Sequence, residues 1–588
     1  MPTRSPLARV RTFAGFLCIS LAWLFPYSGG GSPDAMQQLY MLAVLSVAAI
    51  LFGLSSVSPW IFVMLAGGTL TMMLTPNPYW GRQVAGVSGL LMLGLACHVG
   101  RHLRSSPDRL VVLLYALVAA AFINAVEGLL QWSDLLGELY RWVVVPEQRG
   151  IAYGAFRQRN LFATFLCIGS ICTVWLVQLR RLSESMAWFL VSVLMFGIAA
   201  SGSRTGVVEV LTLALLAIFM RKRHAVSVAR LLVGQVGILA IAMVLLPLIA
   251  NALGFEFVAG ATRAVQTGQS ARLAIWNNAI ELIAQRPWSG WGWRELGFGH
   301  YVTLFEHRYN ELLDNAHNLP LQLAVEFGLP FSILFFGILA RATYQAFPWR
   351  NDATNVDGVI GSASDSMFAW AVLIVIVGIH SMLEYPLWYA GFLFLTGIML
   401  GYVWPVSAAA KEPNKYAIWS VRVGKLTAVG LVGMAFTGWL QYAQTQALYK
   451  IPFTNDKEVK QAAVKAAIDN ASGAWLFQEQ VDLAKLGATV ITRENADSVR
   501  TLSEKLLHST AEPQVIQPLL LSLLYLQDTT ALQFHMARFC HAFPASFLRW
   551  FRAPAVHALV VTAGVQAEKC NRSVDPLLAP QSPDLKTP

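Results

Sequence analysis

The sequence predicts an all-α polytopic membrane protein with about 13 transmembrane helices, a large extracytoplasmic loop and a C-terminal helical domain. Of its 588 residues, 56% are hydrophobic and 13% are charged, whereas soluble domains carry about 25% charged residues. The mean hydropathy is +0.52. Many apolar runs exceed the ~18 residues that a helical span needs. These observations exclude a soluble globular protein.

Apolar windows predict the spans in chain order. The first run follows Arg4, Arg9 and Arg11 and lacks a clear small-x-small cleavage site, so we expect a retained first span. The windows are roughly 13–28, 38–56, 59–76, 84–100, 109–132, 161–179, 186–200, 205–220, 231–250, 319–340, 367–385, 388–404 and 424–444. With the N-terminus in the cytoplasm, an odd number of spans places the C-terminus outside.

The basic excess follows this predicted topology. The net charge of +10 would by itself be compatible with a nucleic-acid partner. However, 18 of the 43 Lys and Arg residues fall in the N-terminus and the loops predicted to face the cytoplasm. This distribution is the positive-inside pattern of a membrane protein. We therefore expect the lipid bilayer, and no nucleic acid, as a partner.

Polar residues cluster where predicted outer loops meet spans. YGAFRQRNLFATF opens the sixth span, SGSRTG opens the eighth, DNAHNLPLQ opens the tenth, and HSMLEYPLWY joins the eleventh and twelfth. Their candidate site residues are Arg157, Gln158, Arg159, Asn160, Arg204, His317, Asn318, Glu384 and Tyr385. Arg263 and Arg272 lie in the long loop before the tenth span.

These junctions predict an anion pocket at the outer edge of the bilayer. Spans six, eight and ten would enter the membrane from outside, so the positive ends of their helix dipoles face outward. The arginines add fixed charge with bidentate geometry, which suits a phospholipid-like headgroup or a lipid diphosphate. Singly, an interfacial arginine often only contacts lipid phosphates, and a lone histidine is often a cap. Glu384 is harder to explain by packing, because charge at that depth is costly.

Five stretches in order resemble the bacterial protein O-oligosaccharyltransferase family, the pilin glycosylation ligases, within the O-antigen ligase and polymerase superfamily. They are GAFRQRNLFATFL, SGSRTG, ARLAIWNNAIELIAQRPWSGWGW, DNAHNLPLQLAVEFGLP and HSMLEYPLWYAGFLFLTG. The resemblance implies transfer of a glycan from an undecaprenyl-diphosphate carrier to a Ser or Thr hydroxyl of a periplasmic or pilin protein. It also implies a location in the bacterial inner membrane, with the C-terminus periplasmic.

The resemblance also implies roles for particular residues. The essential loop histidine of the family falls on His317, and its donor-phosphate arginines fall on Arg204 and Arg272. The glutamine of a Gly/Gln-Pro-Asn-like motif falls on Gln158, but Arg159 stands where that motif often has proline. The HSxxEYPLWY stretch contributes Glu384 and Tyr385.

The expected chemistry fits these residue types. A neutral His317 imidazole can accept the proton of an acceptor hydroxyl. Arginines can stabilise the charge that develops on the departing diphosphate, so we expect direct displacement with inversion at C1 and neither a metal nor another cofactor. The predicted diphosphate ligands are Arg204, Arg272, Arg157, Arg159 and Arg263. The predicted supporting residues are Gln158, Asn160, Asn318, Glu384 and Tyr385.

Two alternative functions stay open at the level of the sequence. An O-antigen polymerase or a lipid A-core O-antigen ligase would use the same donor with a sugar acceptor, and the motifs separate these enzymes poorly from a protein ligase. A transporter of an amphipathic anion would need polar groups across the whole bilayer. The polar cluster here is predicted on one side, which disfavours a transporter.

The chain divides into three predicted regions. A transmembrane catalytic domain covers 1–447 and includes a periplasmic loop at 251–318. A periplasmic helical domain covers 448–575, and a disordered tail covers 576–588. Cys540 and Cys570 fall beyond the spans, where an oxidising compartment would permit a disulfide. The sequence leaves their pairing open.

Overall fold

The computed structural model describes most of the chain. The described residues are 6–25, 33–75, 77–146, 148–219, 226–255, 257, 270–309, 313–346, 363–404, 415–450 and 457–562. Within these ranges the regular structure is helical, without a β-strand. This confirms the predicted all-α class.

Fifteen α-helices precede residue 446 in the described ranges. They are α1 (Pro6–Ala22), α2 (Pro33–Phe52), α3 (Pro59–Leu74), α4 (Trp80–Leu103), α5 (Pro107–Ser133), α6 (Arg159–Gln178), α7 (Glu184–Ser201), α8 (Arg204–Phe219), α9 (Val226–Ala252), α10 (Ser270–Gln285), α11 (Leu296–Val302), α12 (Leu319–Ala346), α13 (Ala363–Leu373), α14 (Ala390–Val403) and α15 (Lys415–Thr445). A helix coincides with each predicted membrane window, and α10 and α11 lie in the long loop before α12.

The chain is a multi-pass membrane protein. Among the described residues, nine helical stretches are long and apolar enough to cross a membrane. The helices in the other four predicted windows are shorter: α1 has 17 residues, α3 and α8 have 16 each, and α14 has 14. The total of thirteen spans therefore stays a prediction.

Helix α6 lies at the centre of the bundle. Of its apolar window, 94% is buried inside the protein, and it packs against α5, α7, α8 and α13. A helix that is apolar on all sides is expected in such a position. The first turn of α6, which starts at Arg159, is consequently central at one end of the bundle. We call this end the site face.

Helices α4 and α14 approach each other unusually closely. A Cβ atom added at Gly100 would overlap the Ile398 carbonyl oxygen, and one added at Gly401 would overlap the Cys97 carbonyl oxygen. Small residues at helix contacts are typical of membrane bundles, because they let two backbones meet.

Helix α12 is interrupted, although the sequence predicts a continuous span at 319–340. Gly328 has φ 81° and ψ 168°, and Pro330 has no N–H to donate to the carbonyl of Glu326. That carbonyl instead accepts a hydrogen bond from Gly292 N at 3.0 Å. The buried backbone groups released by the break are thus satisfied by the preceding loop.

The segment after α13 also departs from a regular α-helix. Ile374–Ile379 form a π-helical turn and His380–Met382 a 3₁₀ turn, where the sequence predicts a span at 367–385. Single π-helical turns recur at functional sites because they redirect the side chains that follow. Here they precede Glu384.

The C-terminal region, residues 457–562, consists of short helices. They are α16 (Lys457–Ala471), α17 (Gln478–Ala488), α18 (Ala496–Leu507), α19 (Pro513–Leu526), α20 (Thr529–Ala542), α21 (Pro544–Phe551) and α22 (Pro554–Thr562). Leucine-rich α19 lies in their core, with Leu519, Leu520 and Leu523 fully buried.

Cysteine usage differs between the bundle and this region. Cys540 is disulfide-bonded, and Cys570 lies outside the described residues. Among the described cysteines, the free thiols are Cys18, Cys97, Cys167 and Cys172, all on bundle helices.

Candidate functional site

Glu384 is the centre of a polar cluster on the site face. It follows the π-helical and 3₁₀ turns, and its backbone N–H donates to the His380 carbonyl at 2.8 Å. Its side chain is only 11% exposed. A carboxylate buried to this extent needs hydrogen-bond or charge partners.

Its partners come from three other parts of the chain. His317 Nδ1, just before α12, lies 2.9 Å from Glu384 Oε2. Arg272 Nη2, on α10, donates to Oε1 at 3.4 Å, and Asn160 Nδ2, on α6, donates to the same oxygen at 3.1 Å. Ser203, just before α8, donates to Asn160 Oδ1 at 2.7 Å. The four sequence junctions therefore meet at one place.

The loop before α12 holds His317 in an unusual conformation. Its φ is 48°, in the left-handed region that non-glycine residues seldom adopt. Its backbone N–H donates to Asn315 Oδ1 at 2.7 Å, and Asn318 Oδ1 accepts from Leu321 N at 3.1 Å, which caps α12. The Tyr385 ring packs edge-on against the imidazole, with centroids 5.4 Å apart.

The electrostatics favour an ionised Glu384. Burial alone would raise its pKa, but the hydrogen bond from His317 and the charges of His317 and Arg272 outweigh burial and lower that pKa. An ionised carboxylate only accepts hydrogen bonds, so the Nδ1 that faces it carries a proton. A neutral His317 ring therefore has its lone pair at Nε2.

The predicted arginines are not equivalent. Only Arg272 pairs with Glu384 among the described arginines. Arg157 and Arg204 are exposed and Arg159 is half-buried. The side chain of none of these three has a hydrogen bond or ion pair with another described residue. Arg157 has φ 59° and ends the short 3₁₀ turn before α6.

Two other predicted residues have less defined surroundings. Gln158 lies at the N-cap of α6, and its buried Oε1 has no hydrogen-bond partner among the described residues. Arg263 lies outside the described residues.

Among the residues that the structure does describe, no three His, Cys, Asp or Glu side chains form a group that could hold a metal ion.

A second polar cluster lies one helical turn deeper. Thr164 donates to Glu209 Oε1 at 2.7 Å and lies 2.5 Å from His380 Nδ1. The Glu209 and His380 side chains are fully buried and 3.8 Å apart. Thr164 follows Asn160 by one turn, and His380 precedes Glu384 by one turn, so this cluster ties together the elements that carry the site.

Sequence reasoning missed several residues that contact this region. Glu326 and Gln322 lie inside the apolar run of α12, and Trp388 lies in the HSMLEYPLWY stretch, where the sequence points only to Glu384 and Tyr385. Arg294 directly follows the tryptophan-rich segment RPWSGWGW at 286–293. The one available signal was an acid, Glu326, inside a predicted span.

Comparisons with known proteins cover all parts of the site. Residues 152–177 match the protein glycosylation ligase family, residues 188–336 the O-antigen ligase family, and residues 367–556 the C-terminal part of virulence factor membrane-bound polymerases. Asn160 falls in the first match, His317 in the second and Glu384 in the third.

Two relatives from Acinetobacter baylyi extend the similarity. A general O-oligosaccharyltransferase is 26% identical over 454 residues, 74% of this chain and 75% of the relative. A ComP-specific O-oligosaccharyltransferase is 21% identical over 359 residues, 60% of this chain and 62% of the relative. These matches show that the chain resembles the bacterial protein O-oligosaccharyltransferases and the wider O-antigen ligases. By these similarities the chain is a membrane glycosyltransferase, with its polar cluster at one end of the bundle.

Proposed function

We propose that this enzyme transfers an oligosaccharide from an undecaprenyl-diphosphate carrier to a Ser or Thr hydroxyl of a periplasmic or pilin protein. The 2.9 Å contact between His317 Nδ1 and Glu384 Oε2 carries the proposal. Because Nδ1 donates to the carboxylate, Nε2 is left to accept a proton from the acceptor. The same pairing of an acid with a histidine orients general bases in hydrolases.

In the proposed step, His317 Nε2 accepts the hydroxyl proton while the hydroxyl oxygen attacks C1 of the first sugar. The bond between C1 and the phosphate oxygen breaks, and its electron pair leaves with undecaprenyl diphosphate. The configuration at C1 is inverted because the oxygen enters opposite the leaving group. The ionised Glu384 stabilises the resulting imidazolium, which then loses its proton to water.

The arginines act on the leaving group. Arg272 is 37% exposed and uses one Nη on Glu384, so its remaining N–H groups can donate to a phosphate. Arg204, Arg157 and Arg159 lie at or just before the N-termini of α8 and α6, where dipole and charge both favour an anion. Arg263 is the fifth proposed ligand. Donors aimed at developing charge lower the barrier.

The proposed location is the inner membrane, with the N-terminus cytoplasmic and the C-terminus periplasmic. The disulfide at Cys540 supports an oxidising compartment for the C-terminal region. The site face then points to the periplasm, where lipid-linked glycan and secreted acceptor meet.

The second candidate function is an O-antigen polymerase or lipid A-core O-antigen ligase. The matches to O-antigen ligases at 188–336 and to membrane-bound polymerases at 367–556 favour it. Donor and base would be the same, and the acceptor hydroxyl would belong to a sugar. The match of residues 152–177 to the protein glycosylation ligase family favours a protein acceptor.

A reconstituted reaction tests these proposals. Purified enzyme, a lipid-diphosphate-linked oligosaccharide and separate acceptors (pilin, lipid A-core and free glycan) are incubated, and the products are read by mass spectrometry. We expect glycan on the pilin with wild-type enzyme, and a loss of about 100-fold or more with His317→Ala, since general bases contribute that much.

The matched control is His307→Ala. His307 is exposed in the same loop, ten residues earlier, and its side chain is not part of the cluster. It should transfer glycan like wild type. Wild-type transfer by His317→Ala would eliminate the proposed base, and glycan found only on lipid A-core or free glycan would favour the second candidate.

A further inference from the structure

Arg294 and Glu295, in the long loop before α12, lie where that loop contacts the C-terminal region. Glu295 Oε2 lies 2.7 Å from His508 Nδ1. Beside this pair, Arg82 at the start of α4 donates to Glu479 at 2.7 Å, to the His508 carbonyl at 2.9 Å and to the Arg294 carbonyl at 3.4 Å. The short segment 294–295 is thus held from the side of the C-terminal region.

Segment 294–295 is also hydrogen-bonded to α12, on the side that faces the site. Arg294 N donates to Glu326 Oε1 at 2.9 Å, and Gln322 Nε2 donates to that same oxygen at 2.9 Å. Gln322 Oε1 in turn accepts from Ala316 N at 2.7 Å. Ala316 directly precedes His317. Since Glu326, Gln322 and Ala316 are at most 4% exposed, water does not compete for these bonds.

A second line of contacts leads from Arg294 to the ring of His317. The Arg294 guanidinium lies 4.1 Å from the Trp388 ring centroid. Trp388 packs on Tyr385 at 5.2 Å, and Tyr385 packs on His317 at 5.4 Å. Arg294 is therefore linked to His317 in two ways. Hydrogen bonds lead from its backbone to the backbone of Ala316, and ring contacts lead from its side chain to the His317 imidazole.

We propose that the C-terminal region is a positioning element for His317, acting through Arg294, Glu326 and Gln322. The inference rests on the proposed function of His317 as the base. His317 has a positive φ, a conformation that persists only when the surroundings enforce it. The buried bond from Ala316 to Gln322 enforces it from one side, and Glu384 enforces it from the other.

The test compares variants of the full-length enzyme in the reconstituted transfer assay. Gln322→Ala removes the acceptor of Ala316 N, and Glu326→Ala removes the acceptor shared by Arg294 N and Gln322 Nε2. We expect kcat to fall about 100-fold in each, because a 1 Å displacement of a reacting group has that effect. KM for the donor should stay unchanged, since the proposed diphosphate ligands are untouched.

Conservative variants separate positioning from general damage. Glu326→Gln keeps one oxygen that can accept both hydrogen bonds, so it should retain most of the wild-type kcat. Where an alanine variant fails to fold, Gln322→Asn, which is one methylene shorter, should still lower kcat. His508→Ala breaks the pair with Glu295 and should lower kcat in the same way, although less, because Arg82 still holds the segment.

Ser332→Ala is the matched control on α12. Ser332 is buried beyond the kink and donates only to the Gly328 carbonyl, at 3.0 Å, so kcat should be unchanged. Elution volume and unfolding temperature in detergent identify variants that fold like wild type.

Several results would overturn the inference. One is a wild-type kcat in folded Gln322→Ala, Gln322→Asn or Glu326→Ala. Another is a Glu326→Gln variant as slow as Glu326→Ala, because charge rather than hydrogen bonding would then matter. A wild-type kcat in His508→Ala would remove the role of the C-terminal region. Failure of the proposed function looks different, because His317→Ala itself would then stay active.

Discussion

Both oxygens of the Glu384 carboxylate accept hydrogen bonds. Oε2 is bonded to the His317 ring, and Oε1 accepts from Arg272 and Asn160. A carboxylate held from both sides cannot rotate without losing hydrogen bonds. The imidazole is consequently kept in one orientation, as outer partners do for histidines that bind metals.

Glu384 also gives the enzyme a pH-dependent stability. Its folded pKa is lower than the ordinary value of 4.5, since the bond and charge from His317, with Arg272, outweigh burial. The ionised side chain thus stabilises the folded state above pH 4.5, and this stabilisation disappears as the pH falls through the lower folded pKa. We expect wild type to unfold at a higher temperature than Glu384→Gln near neutral pH, with a difference that shrinks in acid.

Thermal unfolding in detergent across the acid range measures this difference. Glu306→Gln, at an exposed carboxylate in the loop before α12, provides the control and should follow wild type at every pH. A gap between wild type and Glu384→Gln that is equally large in strong acid would contradict the ionised pair.

The sequence could single out His317 and Glu384 but could not pair them. Charged and titratable residues beside apolar runs attract attention, because burying them is costly. The two residues are 67 positions apart, and no periodicity links them. The sequence likewise gave Arg204 and Arg272 equal weight, whereas only Arg272 contacts Glu384, since α10 folds over the site face.

The break in α12 and the preceding loop form one structural unit. Trp291 N donates to the Val325 carbonyl at 2.7 Å, and Leu329 N donates to the Pro287 carbonyl at 2.8 Å. Gly290 lies where these backbones touch, with φ 67° and no room for a side chain. The loop therefore fixes the direction of the first half of α12, which begins beside His317.

We expect Gly290→Ala to destabilise the protein by about 1–3 kcal/mol, the usual cost of a strained backbone conformation. The added Cβ would also lie 2.5 Å from the Glu326 carbonyl group, so the start of α12 should shift and glycan transfer should fall. Thermal unfolding and the transfer assay measure both effects.

Gly337→Ala is the matched control on the same helix. A Cβ added there meets nothing within 4 Å, so this variant should be at least as stable as wild type. Equal unfolding temperatures for the Gly290 and Gly337 variants would show that the loop contact contributes little.

Element positions were largely predictable, whereas their irregularities were not. Apolar windows located the bundle helices because length and hydropathy dominate membrane insertion. The break at Gly328 depends on the loop at 287–292, which offers hydrogen bonds that a lone helix lacks. Pro330 alone would have been compatible with a simple kink. The π-helical turn before His380 was likewise not predictable from the sequence.

At the scale of the whole molecule, the two ends of the bundle differ in character. The start of α6 carries Asn160 of the site, and Arg180 follows its other end. The C-terminal region contacts the site face through Glu295 and His508. The proposed topology therefore places the C-terminal region and the site on the same, periplasmic, side.

Cysteine labelling in spheroplasts checks this topology. Val490 is 74% exposed in the C-terminal region, so Val490→Cys should react with a membrane-impermeant maleimide added from outside. Arg180→Cys, at an exposed position on the opposite end, should react only after the membrane is permeabilised. The wild-type protein gives the background from its native thiols.

The reverse labelling pattern would contradict the proposed orientation. Reaction of both variants before permeabilisation would instead show leaky spheroplasts, and the comparison would then be repeated with inverted vesicles. There, Arg180→Cys should react and Val490→Cys should not.

The bond between Asn160 and Glu384 joins residues 224 positions apart. During synthesis, the ribosome must therefore deliver the chain well past the middle before the histidine meets its acid. A polypeptide that ends before Glu384, even one already inserted in the bilayer, lacks the proposed pair of His317 and Glu384. Under the proposed function, a chain that ends before Glu384 should therefore consume no lipid-linked sugar and leave the donor pool intact.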